Sequence, residues 1–413
     1  MIQGVLFVIN DFLSGKRFDK TIVFITLFLA LEGLLLIYSA SYPLESGFFS
    51  SSFDRQIVWL VIACAAGFSA AKIKIANLNT AAYAVYVFTV LLLIVPLIAG
   101  SGEVNRWINI GWFNFQPSEF AKFSAIIVLA KFLSENRRMS EWKRFLLSFV
   151  IILPFILLIV REPDMGTAII FVILWIVMSI WSGISVNKVL AVFLPGLALV
   201  SGFYLPLFAA VLTGIGIWAV FWMKKWWKAL FYSVFCAAGG FYSGFFWSKL
   251  AEYQKERILI FFGLKQDPHG SAYQVIQSKV AIGSGGIFGK GFLHGSQSQL
   301  RFLPEQHTDF IVSVLGEEFG FLGITVVFLL YFILIISLLR IARSSEDRFN
   351  SMIVAGISGL IFSHVVVNTG MASGIVPVTG MVLPFLSYGG SSLIVMFILM
   401  GLASNISMKR FTY

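Results

Sequence analysis

The segment 301–310 holds the side chains best suited to acid–base chemistry, because Glu305, His307 and Asp309 alternate within it. Carboxylates and imidazoles are the groups that most often take a proton from an attacking hydroxyl. An Asp at a helix start is also a common N-cap, since its side chain can accept a hydrogen bond from a backbone N–H of the first turn. From these residues alone, Asp309 is either a general base or a cap.

A second charged group enters the apolar run at 118–134. Glu119 and Lys122 are three residues apart and share one helix face, and Pro117 suits the first helical turn. Lys122 is expected about one turn inside the membrane, where a cation requires a partner or a wet cavity. The pair is therefore either a salt bridge that fixes packing or a charge presented to a ligand, with Arg106 upstream.

The segment 161–167 places Arg161, Glu162 and Asp164 in a short turn between two apolar runs. Its spacing favours a solvated turn in which Asp164 caps the next helix through its side chain. The turn by itself does not indicate a catalyst.

A glycine-rich stretch at 283–291 looks like a phosphate-binding loop but fails the nucleotide template. Ser284 stands where the first glycine is required, and Gly291 replaces the Ser or Thr after Lys290. ATP binding is therefore not supported. The stretch is either a plain linker or a set of backbone N–H groups that can meet an anionic head group, with Lys279 and Lys290 nearby.

The elements that must position these residues are membrane helices. Of the 413 residues, 58% are hydrophobic and 12% are charged, against roughly 25% charged in soluble domains. The net charge of +10 comes from Lys and Arg in short connections between apolar runs, which is the pattern of a topology signal and not of a nucleic-acid-binding face. Cys64 and Cys236 lie inside apolar runs and are predicted to pack, which leaves no disulfide or thiolate metal site.

Hydropathy predicts an all-α, polytopic membrane protein, because open lipid accepts only helices for such segments. Twelve spans are predicted, near 21–41, 56–73, 81–100, 118–134, 145–160, 167–183, 189–205, 207–223, 229–247, 320–340, 350–369 and 385–407. The region 189–247 is interrupted by Pro and Gly, so either one span or three can be drawn there, and ten spans is the alternative count.

Asp309 to Arg340 is too long for one crossing, since such a helix would measure about 48 Å. Gly316, Gly320 and Gly323 are therefore predicted to divide it into a short outer helix and a span that begins near residue 320. The segment 370–392, which includes Ser387, is rich in glycine and proline. Such residues interrupt a helix, and non-helical backbone at membrane depth is tolerated only where it lies against protein or a water-filled cavity.

The basic connections all fall on one side of the membrane, so both termini are predicted to be cytoplasmic. We expect a single membrane domain over 1–413, an interfacial N-terminus over 1–20, and a long outer loop over 248–308 that leads into the catalytic segment. Glu32 and His364, inside predicted spans, are interpreted first as packing or hydrogen-bonded residues.

Several motifs in order resemble the shape, elongation, division and sporulation (SEDS) family over most of the chain. They are Gln116-Pro117-Ser118-Glu119 with Lys122, Pro163-Asp164-Met165-Gly166-Thr167, Gln277-Ser278-Lys279, Gln297-Ser298-Gln299, Phe302-Leu303-Pro304-Glu305-Gln306-His307-Thr308-Asp309-Phe310 and Pro384-Phe385-Leu386-Ser387-Tyr388-Gly389-Gly390. The segment Pro377-Val378-Thr379-Gly380 is similar to the elongation branch of that family. The family usually has ten spans, so an extra hairpin within 189–247 would explain twelve.

The resemblance implies a peptidoglycan glycosyltransferase that polymerises lipid II on the outer face of the bacterial cytoplasmic membrane, with Asp309 as the essential carboxylate and general base. Inversion at the donor sugar would then need a single displacement with one base. The resemblance also implies substrate-binding and supporting residues. We assign substrate binding to Arg106, Lys122, Lys279, Gln299, His307 and Ser387, and support to Glu119, Asp164 and Glu305.

No residue set predicts a metal site, but a divalent cation such as Mg or Mn remains a candidate cofactor for the leaving diphosphate. The expected partners are a class B penicillin-binding protein and other elongation-complex proteins, with no nucleic acid. Two alternatives stay open: a flippase for the lipid-linked precursor, and a scaffold that only recruits a transpeptidase.

Overall fold

The computed structural model describes residues 19–41, 52–99, 106–110, 113–249, 271–300 and 302–409, with three isolated positions between 250 and 270. Within these ranges the chain is almost entirely helical. The elements are α1 (Lys20–Ser41), α2 (Ser52–Ala70), α3 (Ile75–Ala99), β1 (Ile108–Ile110), β2 (Phe113–Phe115), α4 (Pro117–Glu135), α5 (Glu141–Arg161), α6 (Met165–Trp181), α7 (Val186–Ser201), α8 (Leu205–Met223), α9 (Trp226–Phe241), α10 (Ser243–Lys249), α11 (Ser271–Ser284), α12 (Ser296–Gln299), α13 (Ile311–Ser344), α14 (Arg348–Ala372) and α15 (Gly390–Lys409).

A helix lies at each of the twelve predicted spans. Nine helices in the described ranges are long and apolar enough to cross a membrane, and the shorter apolar helices α6 and α7 add two more. The twelfth, α4, carries four charged residues at Glu119, Lys122, Lys131 and Glu135 and is buried along most of its length. The chain is therefore a multi-pass membrane protein, as its composition requires.

The centre of the bundle is formed by α4, α14 and α15. The apolar windows of α14 and α15 are 78% and 83% buried inside the protein, against 22% for α3 and 17% for α8. Helix α15 packs mainly on α2, and α14 packs on α13, α6 and α4. Helices α3 and α8 therefore present their exposed apolar side chains to lipid, while Glu119 and Lys122 of α4 are buried in the protein.

Helix α13 is interrupted where the glycine pattern predicted. Gly320 has φ 64° and ψ −162°, which is not helical, so the residues before it form a short helix at an angle to the span that follows. A side chain at Gly320 would also collide with the backbone of Ile287 and Gly289. The predicted division of 309–340 near residue 320 is confirmed.

Helices α7, α8 and α9 form a lobe with an apolar core of its own, made of Ala198, Phe208, Ile215 and Cys236. They pack on one another, and the lobe meets the main bundle through α7 against α6. The three-span alternative for 189–247 is thus confirmed. The packing role predicted for Cys236 is also confirmed, since its side chain is buried.

Two features of the connections were not predicted. Strands β1 and β2 form an antiparallel hairpin in which Asn109 pairs with Asn114, directly before α4. The predicted loop 248–308 contains α11, which packs against α13, and the single turn α12. Both features lie at the end of the bundle where α4 and α6 begin, which we name the cavity end.

Glu317 ties the α12 segment to α13. Its buried carboxylate accepts hydrogen bonds from Lys290 Nζ (2.7 Å), from the backbone N–H of Gln297 (2.8 Å) and from that of Ser298 (3.0 Å). These bonds satisfy a charge that would otherwise be costly to bury. The chain that leads into 302–310 is therefore held at a fixed position.

Close contact between α2 and α15 depends on two glycines. A Cβ at Gly401 would collide with the carbonyl oxygen of Gly67, and a Cβ at Gly67 would lie 2.8 Å from the carbonyl oxygen of Phe397. Small residues let membrane helices approach in this way. The interface leaves no room for a side chain at either position.

We expect Gly401→Ala to lower the free energy of unfolding by about 1–3 kcal/mol, the usual cost of overpacking. The matched control is Gly214→Ala in α8, because a Cβ there meets nothing within 4 Å. Thermal unfolding of the purified protein in detergent measures both. Equal melting temperatures for the two variants would contradict the close packing of α2 on α15.

Candidate active site

The cavity end carries a cavity of about 460 Å³ among the described residues. Its walls come from α2, the β hairpin, the starts of α4, α6 and α15, the segments before α13 and α15, and α14. The lining residues are Arg55, Trp59, Arg106, Trp107, Asn114, Gln116, Glu119, Asp164, Thr167, Glu305, Thr308, Asp309, His364, Gly380, Met381, Val382, Tyr388, Gly389, Gly390, Ser391 and Ser392. Segments far apart in sequence therefore meet around one charged space.

Asp309 lies in the wall of this cavity and is half-buried. Helix α13 starts at Ile311, and its N-cap is Phe310, which makes no side-chain capping bond. Asp309 thus precedes the N-cap position. The helix-cap alternative left open by the sequence does not describe this residue.

The backbone around Asp309 is fixed by its neighbours. The backbone N–H of Asp309 donates to the carbonyl of Glu305 (3.0 Å), and the amide of Asn368 donates to the carbonyl of Asp309 (2.9 Å). Gly380, with φ +70°, lies opposite, where a Cβ would stand 3.4 Å from Asp309 Oδ2. This glycine keeps the space in front of the carboxylate open.

Arg106 is held over the turn between α5 and α6. Its guanidinium donates to the carbonyl of Glu162 (2.8 Å) and to that of Pro163, and lies 4.0 Å from Asp164 Oδ2. Asp164 also accepts from the backbone N–H (3.0 Å) and the hydroxyl (2.9 Å) of Thr167. Asp164 is therefore the predicted N-cap of α6 and a neighbour of the Arg106 cation at once.

Lys122 is buried behind the cavity wall, with 1% of its side chain exposed. Its ammonium lies 2.7 Å from Glu119 Oε1 and 3.2 Å from His364 Nε2. His364 Nδ1 is 3.0 Å from the carbonyl of Val382, which can only accept, so Nδ1 carries the proton and Nε2 accepts from Lys122. The ion pair predicted as one alternative is present, and it reaches the cavity through Glu119 and His364.

His364, predicted to be a packing or hydrogen-bonded residue, is hydrogen-bonded as expected and also lines the cavity. It comes from the middle of α14, and the signal was present in the sequence as an ionisable residue inside a span. Arg55, Trp59 and Trp107 also line the cavity and were not singled out. No spacing rule connects these positions with the motifs.

Five predicted site residues line the cavity: Arg106, Glu119, Asp164, Glu305 and Asp309.

The remaining predicted residues lie elsewhere in the described structure. Lys279 lies against Gly374, where a Cβ would come within 2.7 Å of its ammonium, and Gln299 donates to the carbonyl of Ser39 (3.1 Å). Ser387 is buried and its hydroxyl accepts from the backbone N–H of Leu383 (2.8 Å). Their substrate-binding roles remain predictions.

His307 adjoins the cavity through Tyr388. Its carbonyl accepts from the backbone N–H of Tyr388 (2.8 Å), and the two rings lie 5.5 Å apart. Tyr388 itself lines the cavity. His307 therefore supports the wall next to Asp309.

A divalent cation would find suitable donors but no assembled ligand set. Carboxylates are the ligands that Mg²⁺ and Mn²⁺ prefer, and Glu119, Asp164, Glu305 and Asp309 all line the cavity. Among the described residues, however, no group of three or more His, Cys, Asp or Glu is close enough to hold an ion. Glu119 Oε2 is buried without a hydrogen-bond partner there.

Glu162 lies beside this site and has 1% of its surface exposed, with neither carboxylate oxygen hydrogen-bonded within the described ranges. The pKa of Glu162 is raised from 4.5 to about 8, mainly by burial and in part by the nearby Asp164 charge, while the Arg106 charge acts to lower it. The group is therefore protonated at neutral pH in the folded protein.

The fold and the cavity define a class: a polytopic helical membrane protein with an acidic and cationic cavity at one end. The family model described as "Cell cycle protein", for FtsW, RodA and SpoVE, matches residues 20–210 and 207–411. The chain belongs to this family, the SEDS proteins. The two matched pieces meet at 207–210, inside the region predicted to hold an extra hairpin.

Relatives cover nearly the whole chain. "Peptidoglycan glycosyltransferase RodA" of Treponema pallidum is 33% identical over 95% of this chain and 98% of its own length. "Stage V sporulation protein E" of Bacillus subtilis is 35% identical over 94% of this chain and 96% of its own length. The solved structure described as "Structural coordination of polymerization and crosslinking by a peptidoglycan synthase complex" is similar with a TM-score of 0.69 and 26% identity, over 96% of this chain and 99% of that one.

Replacing one partner of the Glu119–Lys122 pair should lower the free energy of unfolding far more than replacing both partners. We expect Lys122→Met to lower the free energy of unfolding by about 3–5 kcal/mol, because it leaves a buried carboxylate without its cation. The double variant Glu119→Gln/Lys122→Met should recover most of this loss. A double-mutant cycle of thermal unfolding measures the coupling, and additive effects would contradict a mutually dependent pair.

Glu162 should make stability fall as pH rises. In the folded state Glu162 keeps its proton up to about pH 8, whereas in the unfolded state it loses the proton near pH 4.5. The stability that Glu162 contributes is therefore complete below pH 4.5 and lost above about pH 8. Glu162→Gln should remove a slope of up to about 1.4 kcal/mol per pH unit. Melting curves from pH 5 to 9 test this, and parallel curves for wild type and variant would contradict it.

Proposed function

We propose that this chain is a peptidoglycan glycosyltransferase that polymerises lipid II into glycan strands for cell-wall elongation and rod shape. The family and the relatives' names support the activity. The observation that carries the assignment to this site is the Asp309 carboxylate in the wall of a cavity that also holds Arg106 and Glu119. The segment Pro377-Val378-Thr379-Gly380 supports the elongation branch.

The reaction needs one base. The acceptor sugar hydroxyl loses its proton as its oxygen attacks the anomeric carbon of the donor, and the bond from that carbon to the lipid diphosphate breaks with inversion. Asp309 is the cavity carboxylate that we assign to accept this proton. The fixed backbone of 305–309 and the open space at Gly380 suit a group that must meet an incoming hydroxyl.

The leaving diphosphate needs positive charge. Arg106 and Arg55 both line the cavity, and Lys122 lies just behind it with its ammonium on Glu119 and His364. Cations in a low-dielectric site stabilise developing negative charge more strongly than cations in water. We assign the diphosphate to Arg106 and Arg55, with Lys122 setting the charge of the wall. Glu119 holds Lys122 in place, and Asp164 holds Arg106.

A divalent cation would have the cavity carboxylates Glu119, Asp164, Glu305 and Asp309 as its candidate ligands. Within the described residues, Glu119 Oε2 is buried without a hydrogen-bond partner. The ion would supply further charge for the leaving group.

The flippase alternative requires polar groups through the full depth of the bundle. On α4, residues 123–130 below Lys122 carry no charge, and all of them are buried. The charged groups of the site gather at the cavity end. This asymmetry favours the enzyme, and the scaffold alternative is left to experiment.

The proposed location follows from the charge pattern. Basic residues of the short connections lie at the end of the bundle opposite the cavity, so we place that end in the cytoplasm and the cavity on the extracytoplasmic face. Both termini are then cytoplasmic. A class B penicillin-binding protein is the proposed partner, since the similar solved structure concerns polymerisation and crosslinking by one complex, and other elongation-complex proteins are expected beside it.

Asp309→Asn should abolish polymerisation while the protein stays folded. Loss of a general base costs about 100- to 10,000-fold in rate, and the amide keeps the size of the side chain. Purified protein with its cognate transpeptidase is given labelled lipid II, and glycan strands are resolved on a gel. The matched control is Glu135→Gln, an exposed carboxylate on α4 that is far from the cavity.

Polymer from wild type and Glu135→Gln, with none from Asp309→Asn at equal melting temperature, establishes the assignment. Polymer from Asp309→Asn at the wild-type rate would remove Asp309 as the base. No polymer from any of the three would favour the flippase or scaffold alternatives, which transport and recruitment assays then separate.

A further inference from the structure

A second pocket, of about 390 Å³, lies at the end of the bundle opposite the cavity. It is formed where α4 and α6 end and where α13 connects to α14. Its lining residues are Leu133, Ser134, Arg137, Trp181, Ser182, Gly183, Ser345, Glu346, Arg348, Ser351 and Met352. We name it the basic pocket, and nothing in the proposed reaction uses it.

Three guanidinium groups gather at the basic pocket. Arg137 and Arg348 line it, and Arg144 lies within electrostatic range of both, with a guanidinium N–H that donates to the carbonyl of Arg137 (3.4 Å). Arg144 is 3% exposed, and its Nε atom has no hydrogen-bond partner within the described ranges. Three like charges from three separate segments are thus held together, with Arg144 buried and Arg137 and Arg348 exposed.

The nearby carboxylates do not balance these cations. Glu141, which attracts Arg144, already accepts from the backbone N–H of Ser185 (2.8 Å) and pairs with Lys188 (3.1 Å). Asp347 caps α14 by accepting from the backbone N–H of Phe349 (2.9 Å). Glu346 is the single carboxylate among the residues that line the pocket. The cluster keeps an excess of positive charge.

Two of the guanidiniums also sit at the unfavourable ends of helices. Arg348 is the first residue of α14, and Arg144 lies in the first turns of α5. A helix N-terminus carries partial positive charge, so a cation there is destabilising and an anion is stabilising. The arrangement costs stability in the empty state, and a bound anion would remove that cost.

We propose that the basic pocket binds the phosphate group of an anionic phospholipid. The pocket is built from the ends of membrane helices, at the end of the bundle where Lys and Arg are in excess. Basic pockets between helices on this side of a membrane are suited to phosphate head groups. Trp181, whose indole N–H donates to Ser351 (3.0 Å), gives it the interfacial aromatic wall that such a site needs.

The guanidiniums supply the binding contacts. Arg137 and Arg348 can each direct two N–H groups at phosphate oxygens, a geometry that lysine does not offer. The pocket hydroxyls do not compete for this role, because Ser182 donates to the carbonyl of Ser179 (2.7 Å) and Ser351 to that of Ala342 (2.7 Å). Charge on the two arginines therefore decides affinity.

The test is lipid-dependent thermal stability of the full-length protein in neutral detergent. Phosphatidylglycerol should raise the melting temperature of wild type in a saturable way, and phosphatidylcholine at equal concentration should not. Glycerol 3-phosphate, added in place of the lipid, tests whether a free phosphate anion gives the same stabilisation. The double variant Arg137→Gln/Arg348→Gln should lose at least tenfold in apparent affinity for phosphatidylglycerol, and native mass spectrometry should show the retained lipid lost.

The matched control is Arg138→Gln/Arg343→Gln, which removes two exposed arginines from the same end that do not line the pocket. It should bind phosphatidylglycerol as wild type does. Without lipid, the pocket variant should melt at or above the wild-type temperature, because like charges have been removed.

Equal losses in both double variants would mean general attraction to a basic surface and would overturn the proposal. Equal stabilisation by glycerol 3-phosphate would overturn the lipid as the source of the phosphate. A lower melting temperature of the pocket variant without lipid would overturn the repulsion on which the inference rests. Each single substitution, measured alongside, decides the question if the double variant does not fold.

Discussion

The burial of Lys122 is the constraint on which the rest of the site depends. An ammonium group at this depth must be paired and hydrogen-bonded, because the free energy of an isolated buried charge is prohibitive. Glu119 and His364 meet that requirement at 2.7 and 3.2 Å. Lys122 and Glu119 belong to α4 and His364 to α14, so the contact between Lys122 and His364 joins two central helices. The hydrogen bond from His364 to the Val382 carbonyl connects them to the segment before α15.

The same network shapes the cavity. Glu119 and His364 face it from below, and the segment that carries Val382 also contains Gly380, whose lack of a side chain leaves space at Asp309. Asn368 joins the two parts, because its amide donates both to the carbonyl of Asp309 and to that of Met381. The carboxylate proposed as the base is therefore positioned by Asn368 and the segment 380–382, and the Val382 carbonyl of that segment also orients His364 against the buried cation.

The two ends of the bundle differ in how their buried and clustered cations are paired with carboxylates. At the cavity end the cations Arg106 and Lys122 have carboxylates beside them, which suits a site that must bind and release a diphosphate. At the other end Arg137, Arg144 and Arg348 lie together, and Glu346 is the single carboxylate among the residues that line their pocket. The first arrangement stabilises the empty site, while the second is relieved only when an anion arrives.

The sequence by itself determined the class, the spans outside 189–247 and the break at Gly320, since hydropathy and glycine placement act locally along the chain. It also identified Asp309, Glu119, Asp164 and Arg106, because their motifs are contiguous. Only the tertiary structure decided that Asp309 precedes the helix cap, that His364 belongs to the cavity, and that Lys279 and Gln299 lie away from it. These outcomes depend on which helices meet, and packing between distant segments leaves no periodic signal in the sequence.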